Sequence, residues 1–303
     1  MKDTRYLNIN KNYATGVAMV LLGGIFLSSS GVLIRHVETA SGWQILFYRS
    51  ITYFITIGTI LLFQYRADTA SKFKSIGWSG IAASCLLAVG SVFYILALLK
   101  TTVANVVFII GASPLITALV GWVFLRERVT AFSFAAMLMA VMGIGLMFAD
   151  GYVTGGMTGN LFALMMVFTY VGFLLLLRRK KDVDMLPATC LSGLIAAGIA
   201  LIFVEQLSIN LHDLQIALVL GAAQFGLGFM FLTWGTRRIP AAEVALFSLS
   251  ESVLNPVWTW LFANEVPSTY TLLGSAIVLI AVFSYGLAAV VRERTASTAA
   301  HST

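Results

Sequence analysis

Glu251 is a carboxylate inside an otherwise apolar run, with Ser248, Ser252, Asn255 and Trp258 around it at mostly three-residue steps. On a helix these five side chains share one face. A carboxylate facing lipid costs about 2.5–3.5 kcal/mol, so this face must turn toward a cavity or a partner. There Glu251 could meet a substrate ammonium group, carry a proton, or rest among neighbouring hydroxyls and amides as a structural group. Glu243, near Arg237 and Arg238, suits a surface ion pair instead. Arg49 is the basic counterpart. It could hold a carboxylate in an outer vestibule through two parallel hydrogen bonds. It could equally snorkel outward or pair with Glu38. Arg49 and Glu251 together would suit a zwitterion, although their spacing does not bring them together.

Further polar groups fall within apolar stretches. Asn105, Ser113 and Thr117 could line the same space, as could Ser28, in the run Ser28-Ser29-Ser30, and Gln224. Small residues of this kind also let membrane helices pack closely. Tyr94, Tyr170 and Trp234 each offer an apolar body and a polar tip, which suits a cavity gripping a small organic molecule, or simple core packing. Pro114 and Pro256 each remove a helical hydrogen bond and are expected to kink their helices.

The elements that must position these groups follow from composition. Of 303 residues, 59% are apolar and 11% charged, against roughly a quarter charged in soluble domains. That excludes a soluble enzyme, a nucleic-acid-binding domain and a disordered regulator. Eight uncharged stretches of 20 to 27 residues lie between charged positions, each about long enough to cross a bilayer. Two more spans carry charge inside: 43–65 with Arg49, and 240–262 with Glu243 and Glu251. Ten spans with the N-terminus inside put sixteen basic residues on the cytoplasmic side and two, Arg35 and Lys100, outside. This is a strong positive-inside bias, so the net charge of +6 reads as topology. Val17–Leu27 followed by three serines has the pattern of a leader peptide, but the repeat below needs this helix, and it is expected to remain as the first span. Cys85 and Cys190 fall within spans and are expected to be packing residues.

A shift of 138 residues overlays Phe93, Lys100, Ala104, Trp122, Glu127 and Thr130 on Phe231, Arg238, Ala242, Trp260, Glu265 and Ser268. Each copy holds five spans, an odd number, so the second is inserted with opposite orientation. The chain is expected to be an all-α polytopic membrane protein. Its parts are a first repeat over 1–150, a second, inverted repeat over 151–293, and a short polar tail over 294–303. Both termini are expected to be cytoplasmic. Inverted repeats with a midplane site are the architecture of alternating-access carriers.

Late in each half an apolar helix with a proline leads, after about a dozen residues, to a Glu and a short polar turn: Ser113-Pro114 to Glu127-Arg128-Val129-Thr130, and Asn255-Pro256 to Glu265-Val266-Pro267-Ser268. From about 14 to 291 the chain resembles the drug/metabolite transporter superfamily, in its EamA-type ten-helix branch. That family usually has Gly before the turn Glu, where this chain has Arg126 and Asn264. The resemblance implies export of small metabolites, often amino acids, through a central cavity lined by spans 1, 3, 4, 6, 8 and 9. Spans 2 and 7 would move as gates, and 5 and 10 would pack outside.

No phosphate loop, G-x-S-x-G or H-E-x-x-H occurs, and His36, His212 and His301 are scattered. No enzyme activity, cofactor, metal or nucleic-acid partner is expected. The expectation is a secondary transporter of the cell (inner) membrane that exports small metabolites, amino acids foremost, downhill or against protons. A drug or nucleotide-sugar carrier of the same fold, or a non-transporting sensor, is the alternative.

Overall fold

In lipid a backbone N–H or C=O finds no water, so a spanning chain must close its own hydrogen bonds as a helix or a closed barrel. The computed structural model of this chain describes residues 2–125, 130–179, 184–236, 238–239 and 241–301, and there it is helical with short connections. In order the helices are α1 (Lys2–Ser28), α2 (Ser30–Arg35), α3 (Gly42–Tyr65), α4 (Thr69–Ser75), α5 (Gly77–Lys100), α6 (Val103–Gly111) and α7 (Ser113–Leu125). They continue with α8 (Ala131–Thr154), α9 (Met157–Arg179), α10 (Leu186–Phe203), α11 (Leu211–Val219), α12 (Gly228–Thr236), α13 (Ala241–Ala263) and α14 (Thr269–His301).

Many helix starts are local in origin. Ser41, Thr102, Thr130 and Asn210 precede helices, and each side chain accepts the N–H of the residue three positions on. Ser41 and Gln44 complete a reciprocal capping box. Asn264, just past α13, has φ of 52°, a left-handed conformation that Asn tolerates through local hydrogen bonding. That accounts for Asn at a position where the resemblance leads one to expect Gly.

Eight segments are long and apolar enough to cross a membrane, and a ninth results if α6 and α7, bent by 40° at Ala112, form one broken span. The chain is therefore a multi-pass membrane protein. Helix α13 is long enough, with 23 residues, but Glu251, Asn255 and its serines lower its apolarity. It packs along α1 nonetheless, with α2 and α6 also against it. The other extensive pairings are α5 with α9, α8 with α14, α3 with α10, and α1 with α12. Helices α8 and α14 cross where Gly143 meets Gly274, each backbone filling the space of the other's absent side chain.

Between α11 and α12 the chain runs as π-helix over Leu220–Leu227, a rare widening often found at functional sites. It lies directly on α3. A Cβ on Gly221 would stand 2.3 Å from the carbonyl oxygen of Arg49, so only glycine fits.

At one end of the bundle side chains tie the connections together. The Asp213 carboxylate accepts the N–H groups of Glu38, Thr39 and Ala40 at 2.8–2.9 Å. Gln44 Nε2 donates to the carbonyls of Gln206 and Ser208 at 3.0 and 2.6 Å. Arg35 Nε donates to Glu265 Oε2 at 2.5 Å, while its other nitrogens donate to the carbonyls of Leu98 and Thr101 at 2.7 Å. Glu265 Oε1 in turn accepts the Val103 N–H at 2.6 Å. One ion pair thus holds α2, α5, α6 and the α13–α14 connection.

Two outcomes follow for the purified protein in detergent. Gly221→Ala forces α3 and the π-helical segment apart and should cost about 1–3 kcal/mol. Gly198→Ala, where a Cβ meets nothing within 4 Å, should be neutral or stabilising by up to about 1 kcal/mol. Melting temperatures of the two variants check the contrast. Glu265→Gln removes the charge that anchors Arg35 and should cost about 1–3 kcal/mol; an unchanged melting temperature would remove the ion pair from the account.

Candidate functional site

The first span breaks at Ser29, between α1 and α2. The Ser28 and Ser29 hydroxyls donate back to the carbonyls of Ile25 and Phe26 at 2.8 and 2.7 Å, competing with the backbone ladder and bending it. In an unbroken helix the Gly31 N–H would donate to the Leu27 carbonyl. Instead, the Gly31 N–H donates to Asn255 Oδ1 at 3.1 Å, and the Leu27 carbonyl accepts from Gln224 Nε2 at 3.1 Å. Two side chains from two other helices replace the two halves of one lost bond.

Asn255 continues the network. Its Nδ2 donates to Ser30 Oγ at 3.0 Å, and the Tyr94 hydroxyl donates to the same oxygen at 2.5 Å. One turn along α13, Trp258 Nε1 donates to Ser28 Oγ at 3.0 Å. Ser28, Ser30 and Asn255 are fully buried. The structure thus brings Ser28, Tyr94, Gln224, Asn255 and Trp258 together, joining α1, α2, α5, the π-helical segment and α13.

Glu251 lies one turn before Asn255 on α13. It is half-buried, and no hydrogen bond or ion pair is made by its carboxylate among the described residues. Tyr94 of α5 and Tyr170 of α9 are its electrostatic neighbours. An acidic group is therefore held between helices of both halves of the chain, with its hydrogen-bonding capacity free.

Arg49 is placed differently from the sequence expectation. It is 2% exposed, so it neither snorkels nor opens into a vestibule. It does not pair with Glu38, whose N–H is engaged with Asp213; among the described residues the ion pair is Arg35–Glu265. The reason is the glycine-mediated approach of the π-helical segment, which encloses Arg49 behind Phe225. The guanidinium lies 4.7 Å from the Phe225 ring centroid and 5.8 Å from that of Tyr94. One nitrogen donates to Ser91 Oγ at 2.6 Å. Tyr94 thus has the cation on one side and the Glu251 carboxylate within electrostatic range.

Other candidates lie elsewhere. Asn105 Oδ1 accepts from Thr271 Oγ1 at 2.8 Å, and the same hydroxyl reaches Asp150 Oδ2 at 3.0 Å. Thr101 Oγ1 donates to Asn160 Oδ1 at 2.8 Å, within the reach of Asn105 Nδ2. This second network joins α6, α8, α9 and α14. Ser113 and Thr117 turn back on their own chain, donating to the Ile110 and Ser113 carbonyls. Pro114 starts α7, where its missing N–H costs nothing, and the bend lies before it at Ala112; Pro256 lies inside α13. Trp234 is half-buried beside Phe231 and offers its carbonyl to Arg238. The side chains of Ser248 and Glu243 lie outside the described residues. The groups that sequence reasoning missed are Asp213 and the Arg35–Glu265 pair, whose partners are more than 170 residues apart; no local signal marks them.

Comparison with known proteins agrees with this arrangement. The family model of the EamA-like transporters matches residues 14–149 and again 157–287. The chain is 23% identical to the "Pseudopaline exporter CntI" of Pseudomonas aeruginosa, in strains UCBPP-PA14 and PAO1, over 274 residues that cover 88% of this chain and 94% of that protein. A solved structure, titled only as the crystal structure of a protein, superposes with a TM-score of 0.59 at 19% identity, over 90% of this chain and 96% of that one. These findings point to a membrane exporter of small metabolites rather than an enzyme. The chain belongs to the EamA-like transporter family.

Proposed function

We propose that this protein exports small metabolites, amino acids first among them, by alternating access through a site between two inverted five-helix repeats, 1–150 and 151–293. The ten spans are the eight apolar ones, the broken α6–α7 pair and α13, with both termini in the cytoplasm and the Arg35 end outside, in a bacterial inner membrane. The pattern of helix pairing supports the repeat. When each span n is exchanged with span n+5, the pairing of α5 with α9 becomes that of α12 with α1. Under the same exchange the pairings of α3 with α10 and α8 with α14 map onto themselves. The double match to one family model supports it as well.

The observation that carries the reading is Glu251: a carboxylate without a partner, held inside an apolar bundle between Tyr94 and Tyr170, beside a broken helix. Broken helices expose backbone groups at the sites of carriers. Glu251 would meet the ammonium group of an amino acid or pass a proton in exchange, and the buried Ser28–Ser30–Asn255 network would hold the two halves at the hinge. Similarity to a pseudopaline exporter makes a larger metabolite of that kind the second reading.

Counterflow in proteoliposomes, with labelled neutral, acidic, basic and aromatic amino acids, tests this directly. Accumulation of at least one class is expected, stimulated by a proton gradient. Glu251→Gln should remove the dependence on pH between about pH 5 and pH 8. Glu251→Ala should lower transport of ammonium-bearing substrates about 10- to 100-fold, the worth of one charged hydrogen bond. Unchanged rates and an unchanged pH profile in both variants would separate Glu251 from coupling. Silence of the wild type across the panel, with pseudopaline transported, would favour the second reading.

A further inference from the structure

The pocket around Arg49 is the least balanced place in the described structure. Arg49 is buried within the bundle, and its Nε–H has no partner; the neighbouring Ser50 hydroxyl, also buried, has none either. Both line a void of about 10 Å³, together with Tyr53, Ser91, Ser192 and Phe225. That is room for about one water-sized particle. The positive charge meets aromatic faces and one serine hydroxyl, and among the described residues no carboxylate is paired with it. A buried guanidinium without a counter-charge is strongly disfavoured in a membrane interior. The vacant donors, Nε–H and Ser50 O–H, converge on the same small space, and hydroxyls of Ser91 and Ser192 border it. Everything the pocket offers is a donor or a positive charge.

We propose that the Arg49 pocket binds a compact monovalent anion, held by Arg49 Nε and Ser50 Oγ: a free halide ion or the carboxylate group of a transported molecule. This does not rest on the transport reading, because ion binding by the purified protein requires no carrier activity. The π-helical segment supplies Phe225 as the wall over the cation, and Gly221 permits its approach. Exchange of the anion would therefore be felt at the same segment whose Gln224 caps the broken first span.

Thermal unfolding of the full-length protein in detergent tests the proposal. Sodium chloride, sodium acetate and neutral acetamide are titrated separately, with sodium sulfate holding ionic strength constant. General salt effects act alike on wild type and Arg49→Gln, so the difference between them is the readout. The expected result is a saturable rise of about 3 °C in the wild type at tenfold saturation, absent with acetamide and absent in Arg49→Gln. A rise with chloride but not acetate assigns a free halide; a rise with acetate, or acetate displacing chloride, assigns a carboxylate group. Should Arg49→Gln fail to fold, Ser50→Ala carries the test. Without anion it should be at least as stable as wild type, having lost an unpaired buried hydroxyl, and its gain from anion should be several-fold weaker. Equal responses of wild type and Arg49→Gln, no anion-specific rise in the wild type, or a full wild-type gain in Ser50→Ala would each overturn the proposal.

Discussion

The constraint on which this structure depends is that a backbone bond broken inside a membrane must be replaced at once. At Ser29 the first span gives up the bond between the Gly31 N–H and the Leu27 carbonyl. Each orphan would cost about 1–3 kcal/mol if left unpaired. Asn255 takes one and Gln224 the other. The break therefore fixes how α13 and the π-helical segment approach the first span. Tyr94 and Trp258 then complete the same serine run. A local defect in one helix has become the joint between four others.

The charges obey the same rule with larger stakes. Cation–aromatic contacts contribute about 0.5–2 kcal/mol and one charged hydrogen bond about 1.5–3. Burying an ion costs several kcal/mol even after relaxation. Phe225, Tyr94 and Ser91 therefore moderate the charge of Arg49 without balancing it. Glu251 is left equally open, but it is only half-buried, so its environment is less severe. The two groups of opposite charge flank one tyrosine, Tyr94, whose hydroxyl is already committed to Ser30. An incoming zwitterion would find both charges near a group that is anchored to the joint of the first span.

The opposite kind of site is also present. Asp213 is saturated by three backbone N–H donors, and Glu265 by Arg35 and the Val103 N–H. These carboxylates sit where chain connections meet, and they hold the bundle closed at that end. The contrast separates structural from available charge: the carboxylates at the end are fully engaged, whereas Arg49 and Glu251, deep in apolar helices, keep capacity to spare. The Asn105–Thr271–Asp150 network belongs with the first group, satisfied throughout and joined to helices at the outside of the packing.

Much was legible in the sequence because it is set by short-range physics. Apolar runs of membrane length dictate helices, Ser41, Thr102, Thr130 and Asn210 start them, and the spacing of Glu251, Asn255 and Trp258 puts them on one face. The run Ser28-Ser29-Ser30 and Gln224 also stood out as polar groups where lipid tolerates few. What spacing could not give was direction and partner. Arg49 read equally well as a vestibule residue or a partner of Glu38. Its burial depends on Gly221, some 170 residues away, letting a widened helix close over it. Asn105 and Asn255 hold corresponding places in the two halves, yet one is tied to Thr271 and the other to the broken first span. Hydrogen bonds and charge pairs act over a few ångströms between helices distant in the chain, so only the tertiary packing decided which polar group was consumed by structure and which was left free to act.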